Sequence, residues 1–200
     1  VTISNSVTSI GHGAFFHCDS LTYVTISNSV TSIGGCAFQN CTSLTSVVIP
    51  DSVTVIGDWA FAGCDSLTSV VIPDSVATIG YNAFWTCDSL ASVIIGDSVT
   101  SIGYEAFHGC SSLKTVNNRS LLDITKGGSG YGGVASYADT VNGSTIVSTS
   151  GSFDVVYNSL SKIYRIYDYT GTDSILDLSS IVIDGFEYEL RVIGDSAFSG

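Results

Sequence analysis

From Val1 to Thr115 the chain repeats one 23-residue unit five times without insertion. The units begin at Val1, Val24, Val47, Val70 and Val93, and their consensus reads V-x-I-P-D-S-V-T-S-I-G-x-x-A-F-x-x-C-x-S-L-T-S. Apolar columns stay in register throughout. One Ile column runs from Ile3 to Ile95 and a second from Ile10 to Ile102. A Phe column runs from Phe15 to Phe107, a Cys column from Cys18 to Cys110 and a Leu column from Leu21 to Leu113. A period of this length means that every unit must find the same surroundings, so the units have to stack.

The periodicity inside one unit divides it further. Leu44-x-x-Val47-x-Ile49 alternates apolar and polar positions and is rich in β-branched residues, which predicts a short strand with one buried face. Pro50-Asp51 turns the chain, as does Pro73-Asp74. Val53-x-x-Ile56-Gly57 reads as a second extended piece whose Gly permits a tight bend. Ala60-Phe61-x-x-Cys64-x-x-Leu67 is spaced near three, which predicts a helical or 3-10 turn. One unit alone buries too few apolar side chains to offset the chain entropy lost on ordering it. Hydrogen bonds and burial shared with neighbouring units supply the difference, and the product is a solenoid.

Composition agrees with a packed chain: 44% hydrophobic residues and 12% charged argue against disorder. The net charge of −12, from 18 acidic and 6 basic residues, opposes binding to nucleic acid or anionic membrane, which requires clustered Lys and Arg. No apolar run approaches the roughly 18 residues of a membrane span, and no signal peptide opens the chain. The chain starts in mid-pattern at Val1 and contains no Met. It is therefore expected to be an internal piece of a longer protein, with any targeting signals outside it.

The motif L-x-x-V-x-I-P-D-S-V-T-S-I-G-x-x-A-F-x-x-C is fullest at Leu44–Cys64 and Leu67–Cys87. It resembles the BspA-type leucine-rich-repeat surface proteins of bacteria and some protozoa. The resemblance is strong over residues 1 to about 116 and returns at Val192-Ile193-Gly194-x-x-Ala197-Phe198. It implies a right-handed coil with parallel strands on its concave side, and for function it implies surface exposure and adhesion. The expected fold is an α/β leucine-rich-repeat solenoid of short parallel strands joined by helical or 3-10 turns, with a β-hairpin insertion.

The pattern breaks after Leu113-x-x-Val116, where Asn118 stands in place of the buried Ile. Residues 116–140 read as a degenerate sixth turn with a Gly-rich loop at 127–133. Asn142-Gly143 reads as a type I′ hairpin turn. Phe153-x-Val155-x-Tyr157 and Ile163-x-x-Ile166-x-x-Tyr169 are strand candidates, and Ile175-x-x-Leu178 resembles a returning repeat strand. Asp184-Gly185 joins a second hairpin, Ile181–Ile183 against Phe186–Leu190. The expected domains are thus a solenoid at 1–140, a β insertion at 141–174 and a resumed, truncated repeat at 175–200.

Several patterns invite a chemical reading. Cysteines at strand spacing fall within disulfide range, but their side chains point the same way, and free Cys packs as a small hydrophobe. Buried reduced thiols are the expectation, with disulfides or metal as alternatives. The acidic ladders Asp51/Asp74/Asp97 and Asp19/Asp65/Asp88 could hold Ca²⁺. Asn5 and Asn28 replace Asp in the first, however, and Thr42 and Ser111 in the second, which preserves turn hydrogen bonding rather than charge. Gly128-x-Gly130-x-x-Gly133 lacks the βαβ context of a dinucleotide site. His12, His17 and His108 occupy variable positions with no converging nucleophile and carboxylate. No catalytic, cofactor-binding or metal residue is assigned.

The remaining candidates are contact residues. On the concave strip these are Tyr23, Thr25, Val48, Val71, Ile94 and Lys114; in the aromatic-rich insertion they are Tyr157, Tyr164 and Tyr167. Trp59 and Trp85 lie at variable convex positions, where partial packing between turns is expected. The expected function is a non-enzymatic adhesion or protein-interaction module of a secreted or cell-surface protein. Its partner would be a protein or an extracellular-matrix or host-surface ligand. The alternative is a structural spacer within a larger surface protein.

Overall fold

The computed structural model describes residues 1–122, 124 and 127–142, together with the backbone of strands at 144–149, 153–158, 163–167, 180–183, 186–189 and 192–193. In chain order the repeat region comprises β1 (Ser9–Ile10), β2 (Tyr23–Thr25), β3 (Ser32–Ile33), β4 (Ser46–Val48), β5 (Val55–Ile56), β6 (Ser69–Val71), β7 (Thr78–Ile79), β8 (Ser92–Ile95), β9 (Ser101–Ile102), β10 (Thr115–Asn118) and β11 (Thr140–Asn142). Alternate strands pair with one another in parallel. One ladder runs β1-β3-β5-β7-β9; the other consists of β2-β4 and β6-β8-β10-β11. The register advances by one unit per strand, as in Ile33↔Ile56 and Val70↔Val93. The sixth strand extends the second ladder, with Val116↔Val141. The repeat region is therefore a parallel-strand solenoid.

The core fills the space between the ladders with the columns named above. Phe38, Phe61, Phe84 and Phe107 have no solvent exposure, and Leu44, Leu67 and Leu90 likewise have none. The Phe rings stack along the solenoid with centroids 5.0–5.2 Å apart from Phe15 to Phe107. Corner residues tie adjacent units: Ser52 and Ser75 hydroxyls donate to the Val30 and Val53 carbonyls at 2.6 and 2.7 Å.

The expected helical turn is absent. Among the described residues there is no α-helix, and one 3-10 turn lies at Tyr131–Gly133. The backbone of the A-F-x-x-C segment explains this. Ala60, Ala62 and Cys64 N–H groups donate within the unit to Gly57, Trp59 and Phe61 O. The intervening Trp59, Phe61 and Gly63 N–H groups cross to Tyr81, Ala83 and Trp85 O of the next unit at 2.7–2.8 Å. A helix would keep every donor inside its own turn. Here half of them build a third inter-unit ladder, so the segment is a chain of tight turns.

That geometry requires two left-handed residues per unit. One column is Gly13, Cys36, Trp59, Asn82 and Glu105; the other is His17, Asn40, Gly63, Thr86 and Gly109, with φ between 50° and 78°. The Gly after the second Ile has another purpose. A Cβ on Gly57 would lie 2.6 Å from Gly35 N, so this glycine serves close approach between units rather than a bend.

In the sixth turn Asn118 is fully buried. Its Nδ2 donates to Leu122 O at 2.7 Å, and its Oδ1 accepts from Ser120 N at 3.1 Å and from the Ser120 hydroxyl at 2.5 Å. The Asn thus replaces the apolar column by satisfying a local turn.

Beyond it, β12 (Ser144–Thr149), β13 (Phe153–Asn158) and β14 (Ile163–Tyr167) form an antiparallel sheet. Later come β15 (Ser180–Ile183), β16 (Phe186–Glu189) and β17 (Val192–Ile193), of which β17 joins β14 in parallel. The hairpin expected around Asp184-Gly185 is present, with Ile181↔Tyr188 and Ile183↔Phe186. Around Asn142-Gly143 the described strands pair differently from the hairpin expected there. Asn142 ends β11, which pairs with β10, and β12 pairs instead with β13. Val141 belongs to the inner column, so its strand is held by the solenoid. Ile175-x-x-Leu178 and Tyr169 lie outside the described residues.

Candidate interaction surfaces

The strand face carries most of the contact residues proposed from sequence. In β2, β4 and β6 the middle residue points inward and its neighbours outward. Tyr23 is 58% exposed, Val48 72% and Val71 53%. Thr25 is exposed and Ile94 half-buried. Register places Thr25 opposite Val48 and Val71 opposite Ile94, and β4 lies against β6, so four of the six fall in one row. Tyr23 stands in a parallel row opposite Ser46. Lys114 is exposed at the far end, its Nζ 3.5 Å from Tyr137 O.

The row continues where sequence reasoning stopped. Asn117 is opposite Ile94, and Asn142 is opposite Asn117, donating from Nδ2 to Asn117 Oδ1 at 2.9 Å. An apolar stretch thus ends in a paired-amide stretch. The 25-residue offset between β10 and β11 hid this from a 23-residue template.

In the second sheet Tyr157 pairs with Tyr164, and Tyr167 with Asp154, across the strand backbones. Their placement is described at that level.

The turn face holds a group that the sequence showed only as scattered aromatics. Trp59 packs at 5.8 Å against both Tyr81 and Trp85, and Tyr81 stacks on Tyr104 at 5.8 Å. Trp59 and Trp85 are half-buried, as expected, whereas Tyr104 is 69% exposed. Glu105 lies beside Tyr104, and its carboxylate raises the phenol pKa above its ordinary value. The signal was available: Asp58, Tyr81 and Tyr104 form one column, Trp59 lies in the next, and Trp85 lies in the column three positions further on.

The interior Cys column is closed to chemistry. All six cysteines are free. Cys41, Cys64, Cys87 and Cys110 thiols donate to the carbonyls of Phe15, Phe38, Phe61 and Phe84 at 3.1–3.2 Å. Burial pushes the Cys41 thiol up to about 11 and also raises Cys64 and Cys87. Thiol reactivity follows the thiolate, which burial disfavours.

In the first acidic ladder Asp74 and Asp97 make local contacts, and Asp58, outside both ladders, makes another. Asp74 accepts the Asp97 N–H at 3.1 Å and the Arg119 guanidinium at 2.7 Å, while Asp58 accepts the Tyr81 N–H at 2.8 Å. His17 contacts Asn40 at 3.0 Å and Asp19 at 3.8 Å. No cluster of three or more metal-ligating side chains occurs among the described residues. No helix there is long and apolar enough to cross a membrane.

These ladders and columns define a leucine-rich-repeat solenoid. The chain belongs to the family described as BspA type leucine rich repeat region, six copies of which match residues 1–122. Comparison with curated proteins gives no match. Among solved structures, a leucine-rich repeat protein from Bacteroides ovatus is similar at 34% identity and a TM-score of 0.54, covering 58% of this chain and 39% of that one. The leucine-rich repeat protein of T. pallidum is similar at 35% identity and a TM-score of 0.57, covering 58% and 57% respectively. The match therefore spans less than two thirds of either structure. The pneumococcal vaccine antigen PcpA shares the fold at 21% identity and a TM-score of 0.55, covering 63% of this chain and 32% of that one.

Proposed function

We propose that this chain is a non-catalytic adhesion or protein-interaction module of a secreted or cell-surface protein. It engages a protein or an extracellular-matrix or host-surface ligand through its strand face. The observation that carries this reading is the exposure of Val48 and Val71 at 72% and 53% on adjacent outward positions. From the second unit onward the repeat's other Val, Ile, Phe, Cys and Leu columns are buried. Contiguous exposed aliphatic surface is unfavourable in water and marks contact sites. Tyr23 and Lys114 flank the row as an aromatic anchor and a charged end. The family and the low basic content support a scaffold that presents shape rather than chemistry.

The test is the triple variant Val48→Ala, Val71→Ala, Ile94→Ala against a panel of immobilised extracellular-matrix proteins and host cells. Binding should fall at least about tenfold with an unchanged circular-dichroism spectrum. If the triple variant and a Tyr164→Ala, Tyr167→Ala variant both bind like the parent, or if the parent binds nothing on the panel, the spacer reading replaces this one.

A further inference from the structure

We infer that the groove beside Tyr104 on the turn face is a binding site for a neutral sugar ring. One ring is missing from the row of aromatics on that face. Phe107 N–H donates to Gly132 O at 2.8 Å as Phe84 N–H donates to Ala106 O at 2.7 Å. That equivalence puts Gly132 at the position of Ala106, Tyr131 at that of Glu105 and Gly130 at that of Tyr104. The left-handed φ of Tyr131, 48°, matches the 54° of Glu105 and supports the alignment. The column that holds Tyr81 and Tyr104 therefore continues into a glycine.

Backbone geometry does not require that glycine. Gly130 has a φ of −66°, which any residue adopts, and open space around its Cβ direction. The consequence is a groove lined by Tyr104, Glu105, His108, Ser129, Tyr131 and Ser136 with the loop glycines. Tyr104 stacks on Tyr81, and no further ring contact to it occurs among the described residues. One ring face is thus left without a stacking partner in the position where the next unit would supply one.

The lining selects the guest. An aromatic face attracts the polarised C–H groups of a pyranose through its negative π surface. Around it stand a carboxylate, an imidazole and two serine hydroxyls, a mixture of donors and acceptors suited to ring hydroxyls. A purely aromatic guest would leave these groups without partners. An anionic guest would meet Glu105 and a chain of net charge −12. A neutral hydroxylated ring satisfies both conditions. This site lies outside the strand face and does not depend on it.

The test uses the 200-residue chain and saturation-transfer NMR. The probes are the methyl glycosides of glucose, galactose, mannose and N-acetylglucosamine, with N-acetylneuraminic acid as the anionic comparison. At least one neutral glycoside should receive saturation. Its Kd should rise at least about tenfold in Tyr104→Ala and in Gly130→Tyr, which restores the missing ring. Tyr104→Phe and the strand-face triple variant should bind like the parent. Circular dichroism establishes that each variant is folded, as the exposure of Tyr104 and the open space at Gly130 lead one to expect. Absence of transfer to every neutral glycoside overturns the assignment. So does transfer confined to the anionic probe, or binding that survives both Tyr104→Ala and Gly130→Tyr.

Discussion

The fourth unit and the sixth turn solve the same packing problem differently. In the fourth, Ile72 is buried in the column it shares with Ile49 and Ile95 of the units on either side, and Phe84 lies between Phe61 and Phe107 with centroids 5.2 and 5.0 Å away. In the sixth, Asn118 takes the Ile position and Gly133 follows Gly132 where a Phe would follow Ala. Buried Val134 and Ala135 fill what remains. The regular units exchange identical contacts on both sides, so each column is constrained by two neighbours. The sixth turn has a regular unit on one side only, since β10 pairs with β8 there and with the edge strand β11 on the other. It can therefore substitute a locally hydrogen-bonded polar turn for an apolar column. Departures from the repeat, including the open groove at Gly130, accumulate where that constraint ends.

The comparison breaks most visibly at the ring stack. Phe84→Ala removes a fully buried ring held between two others, and should cost about 3–5 kcal/mol in urea unfolding. A loss below about 1 kcal/mol would mean that the stack does not bear on stability. The sixth turn should respond to polarity rather than volume. Asn118→Ala strands the Leu122 carbonyl and the Ser120 donors in a buried site, costing about 1–3 kcal/mol. Hydrogen exchange should show the loosening concentrated at 116–124; uniform exchange along the solenoid would contradict a locally bonded turn. The smallest effect has the opposite sign. Thr86 is β-branched at φ 50°, whereas Gly63 and Gly109 occupy the same column. Thr86→Gly relieves the ~1–2 kcal/mol of left-handed strain, less the extra entropy of glycine when unfolded. A gain of about 1 kcal/mol is expected, read as a raised urea midpoint at unchanged slope.

Much of this was legible in the residues. The period set the strand register, because the buried partners of Ile33 and Val70 are the residues one unit onward. The same alternation located the exposed row at Val48 and Val71. The Ala-Phe-x-x-Cys segment misled because spacing near three is common to helices and chained turns. The difference lies in where the N–H groups go, which periodicity does not record. The left-handed positions were equally hidden, since Trp59, Thr86 and Glu105 do not announce a positive φ as glycine does. The Asn117–Asn142 pair and the Tyr104 groove escaped because the sixth turn is longer than the template. An alignment by residue count fails where an alignment by hydrogen bond succeeds.

The order of the residues by itself determined a stacked solenoid, its inner columns and its corners. One unit's apolar pattern admits burial only against copies of itself. The tertiary structure alone decided that half the turn donors cross between units, because those bonds exist only once a neighbour is in place. It also decided which rings along the turn face touch and where that row stops at Gly130. Those relations depend on side chains from different units meeting across the stack, and no single unit contains them.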